Sequence, residues 1–148
     1  MKPWAYNGLS LGMGVCSFLA GSSIYLCFRS TDLPMFRLFP HGELPQWACR
    51  LRISASGLNV PEWFRFSLPD GLWLLAYLLI IDGIWGSRRS FMSLLFLTIL
   101  PIAALMTEIL QWAHIVPGVG DWMDMACYLL SILIFLTLNK LFSYEKRR

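Results

Sequence analysis

Residues 91–113 read FMSLLFLTILPIAALMTEILQWA. At about 1.5 Å of rise per residue, a helix of this length crosses the roughly 30 Å hydrocarbon core of a bilayer. Glu108 is its single charge, and an acid inside a membrane span needs a protein partner or a wet cavity to offset a cost of about 2.5 to 3.5 kcal/mol at the bilayer centre, less nearer the surface. The stretch therefore decides the fold class, a membrane-spanning helix, and marks where chemistry is to be sought. Pro101 lies inside it, and the lost amide donor and ring clash predict a kink that neighbouring helices make tolerable.

Working outward, residues 6–28 form a charge-free run of 23 residues, and further apolar runs cover 68–85 and 122–142, with Lys140 close enough to the end of the last to snorkel. Four spans within 148 residues and 17.0 kDa predict one domain over 1–148. Its class is all-α: a polytopic membrane protein, a bundle of four transmembrane helices with a long interfacial loop, 29–67, between the first and second. The composition agrees. Hydrophobic residues make up 57% and charged residues 14%, against about 25% charged in soluble domains, and the mean hydropathy is +0.58. A chain with 7 Trp, 10 Phe and 5 Tyr is not disordered, since disorder needs few apolar residues and high net charge. The net charge of +3 gathers at loop ends and the C-terminus rather than along an aromatic-lined groove, which excludes nucleic acid as the expected partner. The lipid bilayer is the expected one.

Lys2 followed by an apolar stretch and Ala20-Gly21-Ser22-Ser23 has some look of a signal peptide, but apolar character resumes through Ile24–Phe28, which favours a retained span. Gly8 and Gly12 lie four apart, as do Ser10 and Gly14, predicting one small-residue face on the first helix for close helix approach. Cys16, Cys27, Cys49 and Cys127 show neither C-x-x-C spacing nor a histidine at zinc-ligand spacing, so thiolate metal chemistry is not expected.

In the connection 29–67, Leu44, Trp47, Ala48 and Leu51 follow an i, i+3, i+4, i+7 pattern with Pro45 in the first turn, predicting a short interfacial helix. Trp63, Phe64 and Phe66 read as an aromatic belt. With four spans, Lys2, Arg88, Arg89, Lys140, Lys146, Arg147 and Arg148 share one side, while Arg29, Arg37, Arg50, Arg52 and Arg65 share the other. Seven basic residues against five place both termini in the cytoplasm. Asp70, Glu108, Gln111, His114, Asp121 and Asp124 then belong to the extracytoplasmic ends of their spans.

Several of these polar residues have ordinary explanations. Ser67-Leu68-Pro69-Asp70 reads as an S-x-x-D capping box opening the second span. Asp121 can cap the fourth helix, with Asp124 in its first turn. Asp82 is expected to pair with Arg88, Arg89 or Lys140, and His114 reads as an interfacial or capping side chain. Glu108 resists such a reading, because the dipole disfavours an anion near a helix C-terminus. Gln111, three residues on, shares its face and can hydrogen-bond to it. The short turn 114–120 makes the last two spans antiparallel neighbours, so Glu108 and Gln111 can converge with Asp121 and Asp124. Three neighbouring carboxylates suit either a hard cation held through oxygen or a shared proton; the residues name no cofactor.

Glu108-Ile109-Leu110-Gln111, a Pro117-Gly118 turn, and Gly120-Asp121-Trp122-Met123-Asp124 resemble the VanZ-like family of small bacterial membrane proteins, whose pattern is E-x-x-Q on one span, a Pro-Gly turn, and two acids three apart opening the next. The likeness covers about residues 108–131, and Leu68-Pro69-Asp70-Gly71-Leu72-Trp73 is similar to the entry of a span in a branch of such proteins. It carries over to Glu108, Gln111, Asp121 and Asp124. This chain departs from the pattern at Val119, where the family has Arg, at Tyr128, where it has Asn, and at Ser131, where it has Gly. The resemblance implies a cell-envelope protein of the bacterial inner membrane, a founding member linked to teicoplanin resistance, and no particular reaction.

The expected function is an acidic pocket at the extracytoplasmic face that acts on or binds an envelope lipid or glycan precursor. Glu108 would exchange a proton or hold the ligand, Gln111 would orient it, and Asp121 and Asp124 would supply charge or hold a cation. The alternative is a noncatalytic subunit or scaffold that docks another membrane protein through the Gly8/Gly12 face and the aromatic loop.

Overall fold

The computed structural model describes residues 3–31, 33, 36, 44–86 and 90–145, with side chains between 6 and 141 among them. Within these the chain is all helical: α1 (Pro3–Phe28), α2 (Gln46–Ser56), α3 (Glu62–Trp85), α4 (Phe91–Trp112) and α5 (Trp122–Glu145). Four of them are long and apolar enough to cross a membrane, Tyr6–Phe28, Glu62–Trp85, Phe91–Trp112 and Trp122–Leu141. The fold is a multi-pass, all-α bundle of four membrane helices, as the hydropathy pattern predicts. The basic residues Lys2, Arg37, Arg88, Arg89, Lys146, Arg147 and Arg148, on which the orientation count leans, lie outside the described residues.

Helix α3 is the hub, packing against α1, α5 and α4. Of its most apolar window 44% is buried, against 11% for α1, 22% for α4 and 11% for α5. Leu74, Leu75, Leu78 and Leu79 of α3 form the core with Leu97 of α4 and Phe135 of α5. The outer faces keep large apolar side chains exposed, such as Phe18, Leu19, Phe96, Ile102, Leu133 and Leu136. So much exposed apolar surface suits acyl chains and not water.

Close backbone approach fixes the order of helices around α3. On α1, Ser10 donates to the Leu79 carbonyl at 2.9 Å, and a Cβ added at Gly14 would lie 2.7 Å from Ile80 Cγ1 and 3.1 Å from the Ala76 carbonyl oxygen. Helices α3 and α5 run in the same direction, since Gly71 packs on Cys127 and Asp82 accepts from Asn139 Nδ2 at 3.4 Å. Gly8 and Gly12 have no atom within 4 Å of an added Cβ. The predicted single small-residue face thus divides, because a two-residue offset turns the helix by about 200° and puts the Gly8/Gly12 pair opposite the Ser10/Gly14 pair.

Two boundaries differ from expectation. Helix α3 begins at Glu62 behind Pro61, not at Leu68, so the connection shortens and Trp63, Phe64 and Phe66 belong to the helix. Pro69 therefore sits inside α3, and the S-x-x-D capping box at Ser67–Asp70 is absent: Ser67 is fully buried with an unpartnered Oγ. The start is marked instead by Pro61, the extended residue just before Glu62. The short helix predicted near residue 44 is α2, capped by Pro45. Its protein-facing stripe is Ala48, Arg52 and Ala55, with Arg52 donating to the Leu26 carbonyl at 2.6 Å. This bond satisfies a carbonyl in the last turn of α1, and it leaves Trp47 and Leu51 exposed for the bilayer surface. Helix α4 runs through Pro101, which is buried.

Candidate functional site

The last turn of α4 closes in a Schellman arrangement, Ile115 N–H to the Leu110 carbonyl at 2.9 Å and His114 N–H to the Gln111 carbonyl at 3.0 Å. His114 takes the left-handed position with φ 56, where glycine is the usual occupant. Its side chain is exposed, in keeping with a capping role. The turn then folds back on α4. Gly118 has φ +132, a backbone conformation that favours glycine, and it lies under the Gln111 side chain, whose Nε2 would be 2.5 Å from an added Cβ. Trp112 Nε1 donates to the Gly120 carbonyl at 2.9 Å. Together these contacts bring the start of α5 beside Glu108.

Glu108 is 5% exposed, and its Oε2 accepts the backbone N–H of Asp121 at 3.0 Å. Asp121 Oδ1 in turn accepts the Met123 N–H at 2.8 Å, the bond of an N-cap. In a capping box the acid at the third helical position would take the cap residue's own N–H; that residue is Asp124. Glu108, reaching across from α4, takes the N–H instead. Asp124 is thereby released, and its Oδ1 is buried with no hydrogen-bond partner. The interhelical bond answers the question of how a buried acid is tolerated near a helix C-terminus: it faces the positive N-terminal end of the next helix.

Helix α3 supplies a further carboxylate. Asp70, half-buried, lies within electrostatic reach of Asp124, Glu108 and Arg29. Tyr128, four residues after Asp124 on α5, lies near the same carboxylates. Gln111 rests against the Gly118 backbone, and among the described residues no hydrogen bond joins it to Glu108. Asp121 is engaged as the cap. The structure thus brings Glu108, Asp121 and Asp124 together as anticipated and adds Asp70 and Tyr128. Asp70 was hidden because Ser67-Leu68-Pro69 imitates a helix start. Tyr128 was legible, since i+4 from Asp124 places it on the same helical face. Ser131 is a packing tie, donating to the Gly71 carbonyl at 2.6 Å and the Cys127 carbonyl at 2.8 Å.

Asp82 belongs to a second polar group at the opposite end of the bundle. It is buried and accepts from the Tyr6 hydroxyl of α1 and from Asn139 of α5, so it ties three helices. Of its three expected ion-pair partners, Arg88 and Arg89 lie outside the described residues, and Lys140, next to Asn139 on α5, is exposed. Among the described residues, no three His, Cys, Asp or Glu side chains are arranged to hold a metal ion. Compared with known proteins, the chain matches no family model, no curated protein and no solved structure.

Proposed function

We propose that the chain is a VanZ-like protein of the bacterial inner membrane, with both termini cytoplasmic, whose acidic site at the extracytoplasmic ends of α3, α4 and α5 acts on or binds a cell-envelope lipid or glycan precursor. The observation that carries this reading is the buried Glu108 carboxylate, held by the Asp121 N–H and flanked by Asp124 with an uncommitted oxygen. Structural glue between membrane helices seldom needs an acid, because interhelical hydrogen bonds contribute only about 0.6 kcal/mol on average. A group of carboxylates beside a phenol is instead the equipment for holding a proton or a cationic or hydroxyl-bearing ligand. Asp121 sets the Glu108 carboxylate in place; Asp124 and Asp70 supply charge. The test is Glu108→Gln in a strain whose glycopeptide susceptibility depends on this protein. The variant is expected to accumulate and fold normally yet lose the phenotype, and a fully active variant would remove the proposal.

A second reading, a noncatalytic subunit docking another membrane protein, draws on the Gly8/Gly12 face, against which, among the described residues, nothing packs within 4 Å of an added Cβ. Pull-down from mild detergent, with binding lost in Gly12→Leu and retained in Glu108→Gln, would favour it.

A further inference from the structure

Between Glu108 and Asp121 the chain reads ILQWAHIVPGVG, without an Asp, Glu, Lys or Arg. Turns that stand in water draw on Ser, Asn and Asp. This one instead turns apolar side chains outward: Ile115 is 69% exposed, Val119 89%, and Trp122, the first residue of α5, 65%. A contiguous apolar patch of this kind marks a surface that meets something other than water.

The folding of the turn fixes where that surface lies. Gly118 sits under the Gln111 side chain and Gly120 against the Trp112 ring, with the Trp112 indole N–H on the Gly120 carbonyl. Val119, between the two glycines, is therefore held beside the last turn of α4, and Asp121 meets Glu108 further back along the same helix. Phe91–Trp112 is one stretch able to cross a membrane and Trp122–Leu141 is the next. The second half of the turn thus runs alongside a span instead of rising clear of it, and Val119 and Trp122 face whatever surrounds that span.

The backbone suits such a place. The N–H groups of Ala113, His114, Ile115 and Asp121 all have acceptors within the chain, the Gly120 carbonyl has a donor, and Pro117 has no N–H to satisfy. Polar groups already paired cost less to withdraw from water. At the same end of the bundle, α2 and the start of α3 expose Trp47 and Trp63, so tryptophans of four helices gather there. Tryptophan is enriched where headgroups meet acyl chains.

We infer that the α4–α5 turn is a membrane-anchoring surface whose partner is the lipid leaflet at that end of the bundle, with Ile115, Val119 and Trp122 set into the boundary between headgroups and acyl chains. Irregular backbone is not left bare against hydrocarbon, which limits insertion to that boundary. Glu108 and its Asp121 cap lie directly behind the surface and so stand at headgroup depth. This anchoring holds whatever the acid site binds.

The full chain, labelled with fluorotryptophan, is placed in phosphatidylcholine nanodiscs. Fluorine relaxation is then measured with a phosphatidylcholine that carries a nitroxide just below its headgroup, or with a gadolinium chelate confined to water. Val119→Trp adds a resonance at the most exposed of these side chains, and Trp122→Phe identifies the native one at 122. Both resonances are expected to relax several-fold faster with the lipid nitroxide than with the chelate, while free fluorotryptophan in water shows the reverse order. Faster relaxation with the chelate at either position puts the turn in water and overturns the inference. Protection from both agents also overturns it and assigns the surface to contact with a second copy of the chain. If Val119→Trp fails to accumulate, the native resonance at 122 decides alone. An active Glu108→Gln strain removes the envelope-ligand reading and leaves this result untouched.

Discussion

The bond from Asp121 N–H to Glu108 Oε2 can be isolated with two substitutions at one position. Glu108→Gln keeps an oxygen acceptor of the same reach and removes the charge. The loss of charge assistance, about 1 kcal/mol, is opposed by relief from burying an anion among Asp121 and Asp124, so this variant should stay within about 1 kcal/mol of the parent. Glu108→Ala leaves the cap residue's amide without an acceptor, which costs about 1 to 3 kcal/mol. For a chain of this size each kcal/mol moves the midpoint by roughly 2 to 4 °C, so Glu108→Ala should unfold about 2 to 12 °C below Glu108→Gln. Thermal unfolding in detergent, followed by tryptophan fluorescence, measures the gap. Amide exchange at Asp121 gives the site-specific readout, with protection kept by glutamine and lost with alanine. Equal midpoints and equal exchange would refute the view that this bond joins α4 to α5.

Gly14→Leu must push aside Ile80 and the α3 backbone and should destabilise by about 1 to 3 kcal/mol, whereas Gly12→Leu should change stability by no more than about 0.5 kcal/mol; detergent unfolding of both checks the division of the α1 faces. A double-mutant cycle of Tyr6→Phe with Asp82→Asn should yield a coupling of about 0.6 to 1.7 kcal/mol, and a value near zero would show that the hydroxyl–carboxylate contact does not hold α1 to α3. Cys49, exposed on α2, should react with a membrane-impermeant maleimide in intact spheroplasts, while Cys127, against Gly71 in the α3–α5 seam, stays unlabelled. Labelling of Cys49 only after lysis would invert the proposed orientation.

The sequence alone determined the four spans, the antiparallel pairing of α4 with α5, and the singling out of Glu108, because each rests on local quantities: hydropathy over the length of a bilayer, a turn too short to go anywhere else, and an acid at the wrong end of a helix dipole. It also specified α2 to within two residues of its start through Pro45. The start of α3 was misplaced because Ser67-Leu68-Pro69-Asp70 has the composition of a helix entry, and only packing of Pro69 against α1 at Gly21 shows it to be interior.

What the tertiary structure decided is partnership. The pairs Gly8/Gly12 and Ser10/Gly14 are equivalent as spacings, and the choice between them was made by where α3 lies. Asp121 and Asp124 each satisfy the local rules for a helix start; the arrival of Glu108 from a different helix commits the first as cap and frees the second. Alternation of the spans already puts Asp70 at the same end as the other acids; it joins the site because α3 packs directly against α5, and no local pattern encodes that adjacency. Charges and hydrogen-bond donors act through space over a few ångströms, so a sequence can show which residues have such capacity while the packing of helices settles which of them meet.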